Sequence, residues 1–140
     1  MTSYISLPLY AASIGQRLRL EAARCSDCGA FTYPQRPVCQ NCHGRSFSVE
    51  RLSGRGRLHT YTVIAPGGAP AEFDHQQAMT GALAVGIIDL VEGPRLTAQL
   101  ADVEVEDLHI GLAMRAVVRR LYDQESVIRY GTKFVPDEAP

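Results

Sequence analysis

Apolar and polar positions alternate in short runs along most of this chain. "RLRLEAARC", residues 17–25, alternates Arg with Leu and predicts a strand that runs up to Cys25. "SFSVERLS", residues 46–53, alternates again and predicts a strand leaving the same region. Ahead of both, "LPLYAASIGQ" predicts a short helix or arm after Pro8. Gly54 and Gly56 in "SGRG" interrupt the pattern, and a domain boundary is expected there.

Beyond that bend the β-type runs continue. "RLHTYTVIA" places Leu58, Thr60, Thr62 and Ile64 on one face and His59, Tyr61 and Val63 on the other. "GALAVGIIDLV" is almost continuously apolar, as a buried central strand would be. "EGPRLTAQLADV" opens on a Gly-Pro turn and predicts a third strand. "EVEDLHIG" predicts one helical turn capped by Gly111. "MRAVVRRLY" and "VIRYGTKFVP" complete five strands, joined by a turn at "DQES". Five short strands with a helical turn between the third and fourth fit a small Greek-key barrel of the OB type. "PGGAPAEFDHQQAM" is left over as a long polar loop. Phe73 and Met79 are apolar anchors in it and His75 a polar one, so it is either a ligand- or partner-lining loop or a mobile surface loop.

The expected organisation is therefore mainly β. Residues 1–24 form an arm or helix with an entry strand, 25–53 a metal ribbon, and 54–140 an OB-fold domain. The length of 140 residues suits this. Residues 1–53 carry a net charge of +3 and residues 54–140 a net of −4. A mildly acidic barrel argues against a nucleic-acid backbone partner, which needs a basic face. The first twenty residues lack a basic stretch followed by an apolar run, and no window reaches a membrane span, so a cytoplasmic, reducing setting is expected.

In that setting four cysteines point to a metal rather than to disulfides. Cys25, Cys28, Cys39 and Cys42 stand in "CSDCGAFTYPQRPVCQNC", two C-x-x-C turns separated by ten residues. Each turn can place two thiolates on one ion, and two turns give a closed tetrahedral site. "CQNCH" alone is also the pattern of a c-type haem attachment, but that reading leaves Cys25 and Cys28 unexplained. Zinc suits four thiolates best, with iron the lesser alternative. A closed shell has no open position for water, so the metal is structural. His43 is a bystander in this reading. Gly29 and Gly44, just after the two knuckles, are expected to supply the positive φ that such turns need.

The knuckle pair with "YPQRPVC", then "SGRG", "EGPRL" and "DLHIG", resembles the DUF35 family, and the resemblance covers nearly the whole chain. It implies a rubredoxin-like zinc ribbon followed by an OB-fold, with metal ligation by Cys25, Cys28, Cys39 and Cys42. It also implies acyl-CoA metabolism. Members act as small partners of thiolase-like enzymes, ketoacyl synthases and CoA hydratases or aldolases, bridge subunits, and help hold CoA or carry the acyl group between sites. The short form with an N-terminal arm is similar to the small subunit of the bacterial acetyltransferase that forms a C–C bond on acylphloroglucinols.

The chain has no spare cysteine and no Ser/His/Asp constellation, so it is not expected to be catalytic alone. Arg55 and Arg57, beside the glycine bend, and Phe73, in the polar loop, are candidates for a face towards CoA or a partner. The plainer reading of the arginines is solvated side chains. The alternative function is a single-stranded nucleic-acid binder in which Tyr61, Phe73, Tyr122 and Tyr130 stack bases.

Overall fold

The computed structural model describes residues 7–124 and 126–138. These divide into two compact units between Ser53 and Gly54. The part of the expected arm before Leu7, Glu125 in the "DQES" turn, and residues 139–140 lie outside the described residues. Among the described residues no helix is long and apolar enough to cross a membrane.

The first unit opens with helix α1, Leu7–Arg19. Pro8 is tolerated in a first turn, where its missing N–H has no partner to lose. Arg17 and Arg19 close the helix, where cations favour the negative end of its dipole. The helix therefore takes in the Arg-Leu-Arg run expected to be strand. Four alternating residues cannot by themselves separate a period of 2 from one of 3.6. Contacts along and beyond the helix decide: the Arg17 guanidinium lies 4.5 Å from the Tyr10 ring centroid two turns earlier, and Tyr33 donates its hydroxyl to the Gln16 carbonyl at 2.7 Å. Leu20, at φ 50°, ends the helix in the left-handed region, and its carbonyl accepts the Leu52 N–H at 3.0 Å.

Three strands follow: β1 (Glu21–Cys25), β2 (Phe31–Thr32) and β3 (Phe47–Arg51), in the order β2-β1-β3, all antiparallel. Cys25 pairs with Phe47, so the sheet delivers the first cysteine beside the start of β3. Buried apolar material is sparse here. Among the described residues it consists of Leu20, Ala22, Ala23 and Leu52 together with Cys25 and Cys39.

The second unit is a five-stranded barrel. Strands β4 (Arg55–Ile64), β5 (Leu83–Leu90), β6 (Arg95–Gln99), β7 (Ala113–Gln124) and β8 (Val127–Pro136) lie in the order β6-β5-β4-β7-β8. A parallel bridge from Leu100 to Phe134, with Ala101 donating to the Phe134 carbonyl at 2.9 Å, brings the two edges together. This is the OB topology, nearly closed. Leu58, Ile88, Met114, Phe134 and Val135 are its most deeply buried side chains. Gly86 sits among them because a Cβ there would come within 2.6 Å of Leu58 Cδ1 and 3.0 Å of Leu100 Cδ2.

The structure departs from expectation in three further places here. A register shift between Leu58 and Thr60 against β5 breaks the simple alternation of β4. Leu58 is buried, whereas Thr60 and Thr62 are exposed. A bulge reverses the in-out phase, and it is set by pairing with the neighbour rather than by local pattern. The polar segment expected as a loop holds a 3₁₀ turn at Ala71–Phe73 and a seven-residue helix α2, Asp74–Thr80. Gln77, its one buried residue, donates to the carbonyls of Ile64 and Ala65 at 3.2 and 3.1 Å, which pins α2 to the end of β4. Finally, the helical turn before β7 is a 3₁₀ turn at Val105–Asp107 that ends at an extended Leu108. Gly111 (φ 89°) instead donates to the Leu58 carbonyl at 2.7 Å.

Candidate metal centre

The two C-x-x-C turns are built alike. In the first, Gly29 donates to the Cys25 carbonyl at 2.9 Å and Cys25 donates to the Ala30 carbonyl at 2.9 Å. In the second, His43 donates to the Cys39 carbonyl at 3.0 Å and Cys39 donates to the Gly44 carbonyl at 2.9 Å. Cys25–Ala30 thus superposes in role on Cys39–Gly44. The left-handed residue of the first turn is Gly29 (φ 75°), and of the second it is His43 (φ 63°), not Gly44. This corrects the expectation for Gly44. That glycine is there for space, since a Cβ would collide with the Asp27 carboxylate and lie 3.3 Å from Cys42 Sγ.

The four sulfurs all lie within 4.8 Å of one another. Cys25 and Cys42 are 3.5 Å apart, and Cys28 and Cys39 3.6 Å. A zinc ion with bonds of about 2.3 Å needs tetrahedral sulfurs about 3.8 Å apart, so the site fits it. Cys25 and Cys39 are buried, while Cys28 and Cys42 are exposed. Asn41 donates its backbone N–H to Cys39 Sγ at 3.4 Å. The Asn41 side chain holds the Cys28 thiol down at about 6. At Cys42 the Gly44 backbone pulls downward, but the sulfurs of Cys28 and Cys25 outweigh it and the thiol is held up at about 12. A cation among the four takes the place of thiol protons, so binding releases protons. All four cysteines of the chain are used in this cluster.

Sequence comparison finds the same two kinds of domain, with the models meeting within β3. Residues 12–48 match the family model described as ChsH2, rubredoxin-like zinc ribbon domain, and residues 49–119 the one described as ChsH2, C-terminal OB-fold domain. A DUF35 domain-containing scaffold protein of Methanocaldococcus jannaschii is 38% identical over 128 residues, covering 89% of this chain and 86% of that protein. The chain belongs to the DUF35 family. BbsA, a subunit of benzoylsuccinyl-CoA thiolase in Thauera aromatica, is 34% identical over 92 residues, covering 66% of this chain and 58% of BbsA. Among solved structures, the Ltp2-ChsH2(DUF35) aldolase has the same fold. The TM-score is 0.67 over 96% of this chain and 98% of that one, at 21% identity. The ribbon of this DUF35 chain is therefore a zinc ribbon, with its four cysteines gathered to hold the metal.

The other candidate residues do not gather into one site. Arg55 pairs with Asp137 at 3.8 Å, and Arg57 donates to the Gly111 carbonyl at 3.0 Å. On β4, Arg57 lies opposite Ala113 at the start of β7. Phe73 instead packs edge-on against Tyr122, near the far end of β7, at 5.3 Å between ring centroids. Nine strand residues, roughly 30 Å, separate the two ends. Of the proposed stacking rings, Phe73 and Tyr122 face each other, and Tyr61 donates its hydroxyl to the Leu108 carbonyl at 3.0 Å. Tyr130 is 54% exposed. The sequence reading missed Lys133 and Gln76, which meet in a cavity beside α2.

Proposed function

We propose that this protein is a non-catalytic scaffold subunit of a thiolase-like acyltransferase complex, working in the cytoplasm. In this reading it bridges partner chains and helps shape the channel for the acyl group and CoA. The observation that carries it is the commitment of every cysteine to one closed metal site. Thiolase-type acyl transfer needs a free thiolate to accept the acyl group, and here that thiolate must come from another chain. The names of the relatives support the same role: one is a scaffold protein and another a thiolase subunit.

In this role the ribbon and α1 dock one partner and the barrel another. Arg55 and Arg57 lie at the start of the barrel, each exposing enough guanidinium to meet a partner carboxylate or a CoA phosphate while keeping its internal contact. Phe73 belongs to the opposite end of β7 and would serve a different contact. Zinc supplies rigidity and takes no part in the chemistry. The competing single-stranded nucleic-acid reading loses support because three of its four rings are engaged within the chain.

Affinity capture of the tagged, zinc-loaded chain from its own cells tests the proposal. A thiolase-like or ketoacyl synthase-like protein is expected at fixed stoichiometry. Recovery of the chain without any such protein, or with nucleic acid in its place, contradicts it.

A further inference from the structure

Between α2 and the β7–β8 hairpin lies a cavity of about 300 Å³. Met79, Leu121 and Tyr122 form apolar parts of its wall, and Gln76 and Lys133 are polar groups in it. Lys133 is only 6% exposed. Among the described residues its ammonium makes no hydrogen bond and no salt bridge. The opposite charge that acts on it is Asp102, which Arg119 already holds at 3.3 Å. Burial, with Arg119 adding repulsion, pushes the Lys133 pKa below its ordinary value, and Asp102 only partly opposes this.

Gln76 is unsatisfied as well. Its Nε2 reaches Gln99 Oε1 at 3.5 Å, but its buried Oε1 has no partner. The Gln76 carbonyl is buried without a partner, which is costly, and the Lys133 ammonium beside the same cavity has none either, so one ligand can serve both. Arg120, also in the wall, is neutralised by Asp123 at 2.9 Å, which leaves Lys133 as the wall's cation for an anion, with Glu72 and His75 the other ionisable groups of the lining.

We infer that this cavity binds a small organic acid with an apolar body. Its anionic oxygen accepts from Lys133 Nζ, a neighbouring hydroxyl or N–H donates to Gln76 Oε1, and the body rests on Met79, Leu121 and Tyr122. The site lies wholly within the barrel unit and is independent of the scaffold reading.

Mandelate carries all three features and is the probe. The ¹⁵N-labelled, zinc-loaded full chain is titrated with mandelate, phenylacetate (no hydroxyl) and benzyl alcohol (no carboxylate). Mandelate is expected to shift the amides of Gln76, Met79 and Leu121 saturably. A charge-assisted bond makes benzyl alcohol at least about tenfold weaker, and a neutral one makes phenylacetate about threefold weaker. Lys133→Met should bring mandelate down to the level of benzyl alcohol, and Gln76→Ala should erase its advantage over phenylacetate. Met79→Ala, at a side chain 72% exposed, leaves folding intact and should weaken all three, which keeps the test decisive if Lys133→Met does not fold. Three results overturn the inference: no saturation at tens of millimolar, benzyl alcohol binding as well as mandelate, or a folded Lys133→Met variant with undiminished affinity.

Discussion

Removing the metal should unfold the ribbon unit and leave the barrel standing. Apart from cysteines, the buried apolar side chains of the ribbon among the described residues are Leu20, Leu52, Ala22 and Ala23. At about 1.5–3 kcal/mol for each leucine and about 0.8 kcal/mol for each alanine methyl, their burial contributes about 5–8 kcal/mol. Binding of a structural zinc in small metal-dependent folds is worth about 10–16 kcal/mol at neutral pH. The metal thus stabilises the unit more than its apolar core does, and that sparse core cannot hold the fold without it. The barrel, with Leu58, Ile88, Met114 and Phe134 at its centre, has a core of its own. The assay is a chelator titration followed by NMR. Amides of Ala22, Ala23 and Val49 should lose their dispersion as zinc is withdrawn, while those of Ile88 and Phe134 stay in place, and added zinc should restore the first set. Retention of dispersed Ala22 and Ala23 signals at zero zinc would refute the reasoning, as would simultaneous loss of both sets.

Other outcomes follow from single positions. His43→Gly should keep one zinc per chain and stabilise the ribbon by up to about 1 kcal/mol, because φ 63° costs a side chain about that much; loss of zinc in this variant would make His43 a ligand. Gly56→Ala should destabilise the barrel by about 1–3 kcal/mol in urea denaturation, since its Cβ would strike the Asp89 carbonyl and lie 2.8 Å from Ile88 Cγ2; an unchanged midpoint contradicts this. Asp89, paired with Arg95 and then His59, is held below the ordinary carboxylate range. Its contribution is present above the unfolded pKa, near 4, and is lost as pH falls through the lower folded value. The gap in Tm between the native chain and Asp89→Asn should therefore close in acid, and a gap that stays constant down to pH 2 contradicts the pairing.

The metal site could be read from the sequence because its ligands are local. Two C-x-x-C turns and one short hairpin state the chemistry without any long-range contact. The role of His43 was legible too, but only by laying Cys39–Gly44 over Cys25–Ala30, which puts His43 on Gly29. Counting glycines near the knuckles pointed to Gly44 instead. The barrel strands declared themselves through alternation, through the continuous apolar run before Val91, and through the turn at Gly93-Pro94.

What the pattern hid depends on partners distant in sequence. The bulge after Leu58 is decided by how β4 meets β5. Helix α2 has one buried residue, a glutamine, so it shows no apolar period, and its anchor is a pair of carbonyls on β4. The cavity of Lys133 and Gln76 joins that helix to β7 and β8, forty or more residues away in the chain. In "GTKFVP" nothing marks the lysine as buried. It lies on the face of β8 opposite the core residue Phe134, yet it is only 6% exposed.

Reconstitution of acyl transfer tests the scaffold account most directly. A purified thiolase-like partner is assayed with an acyl-CoA donor in three forms: alone, with the zinc-loaded chain, and with the chain stripped of zinc. The account predicts turnover only with the zinc-loaded chain, and none by that chain without its partner. Full activity of the partner alone, or turnover by this chain alone, would contradict it.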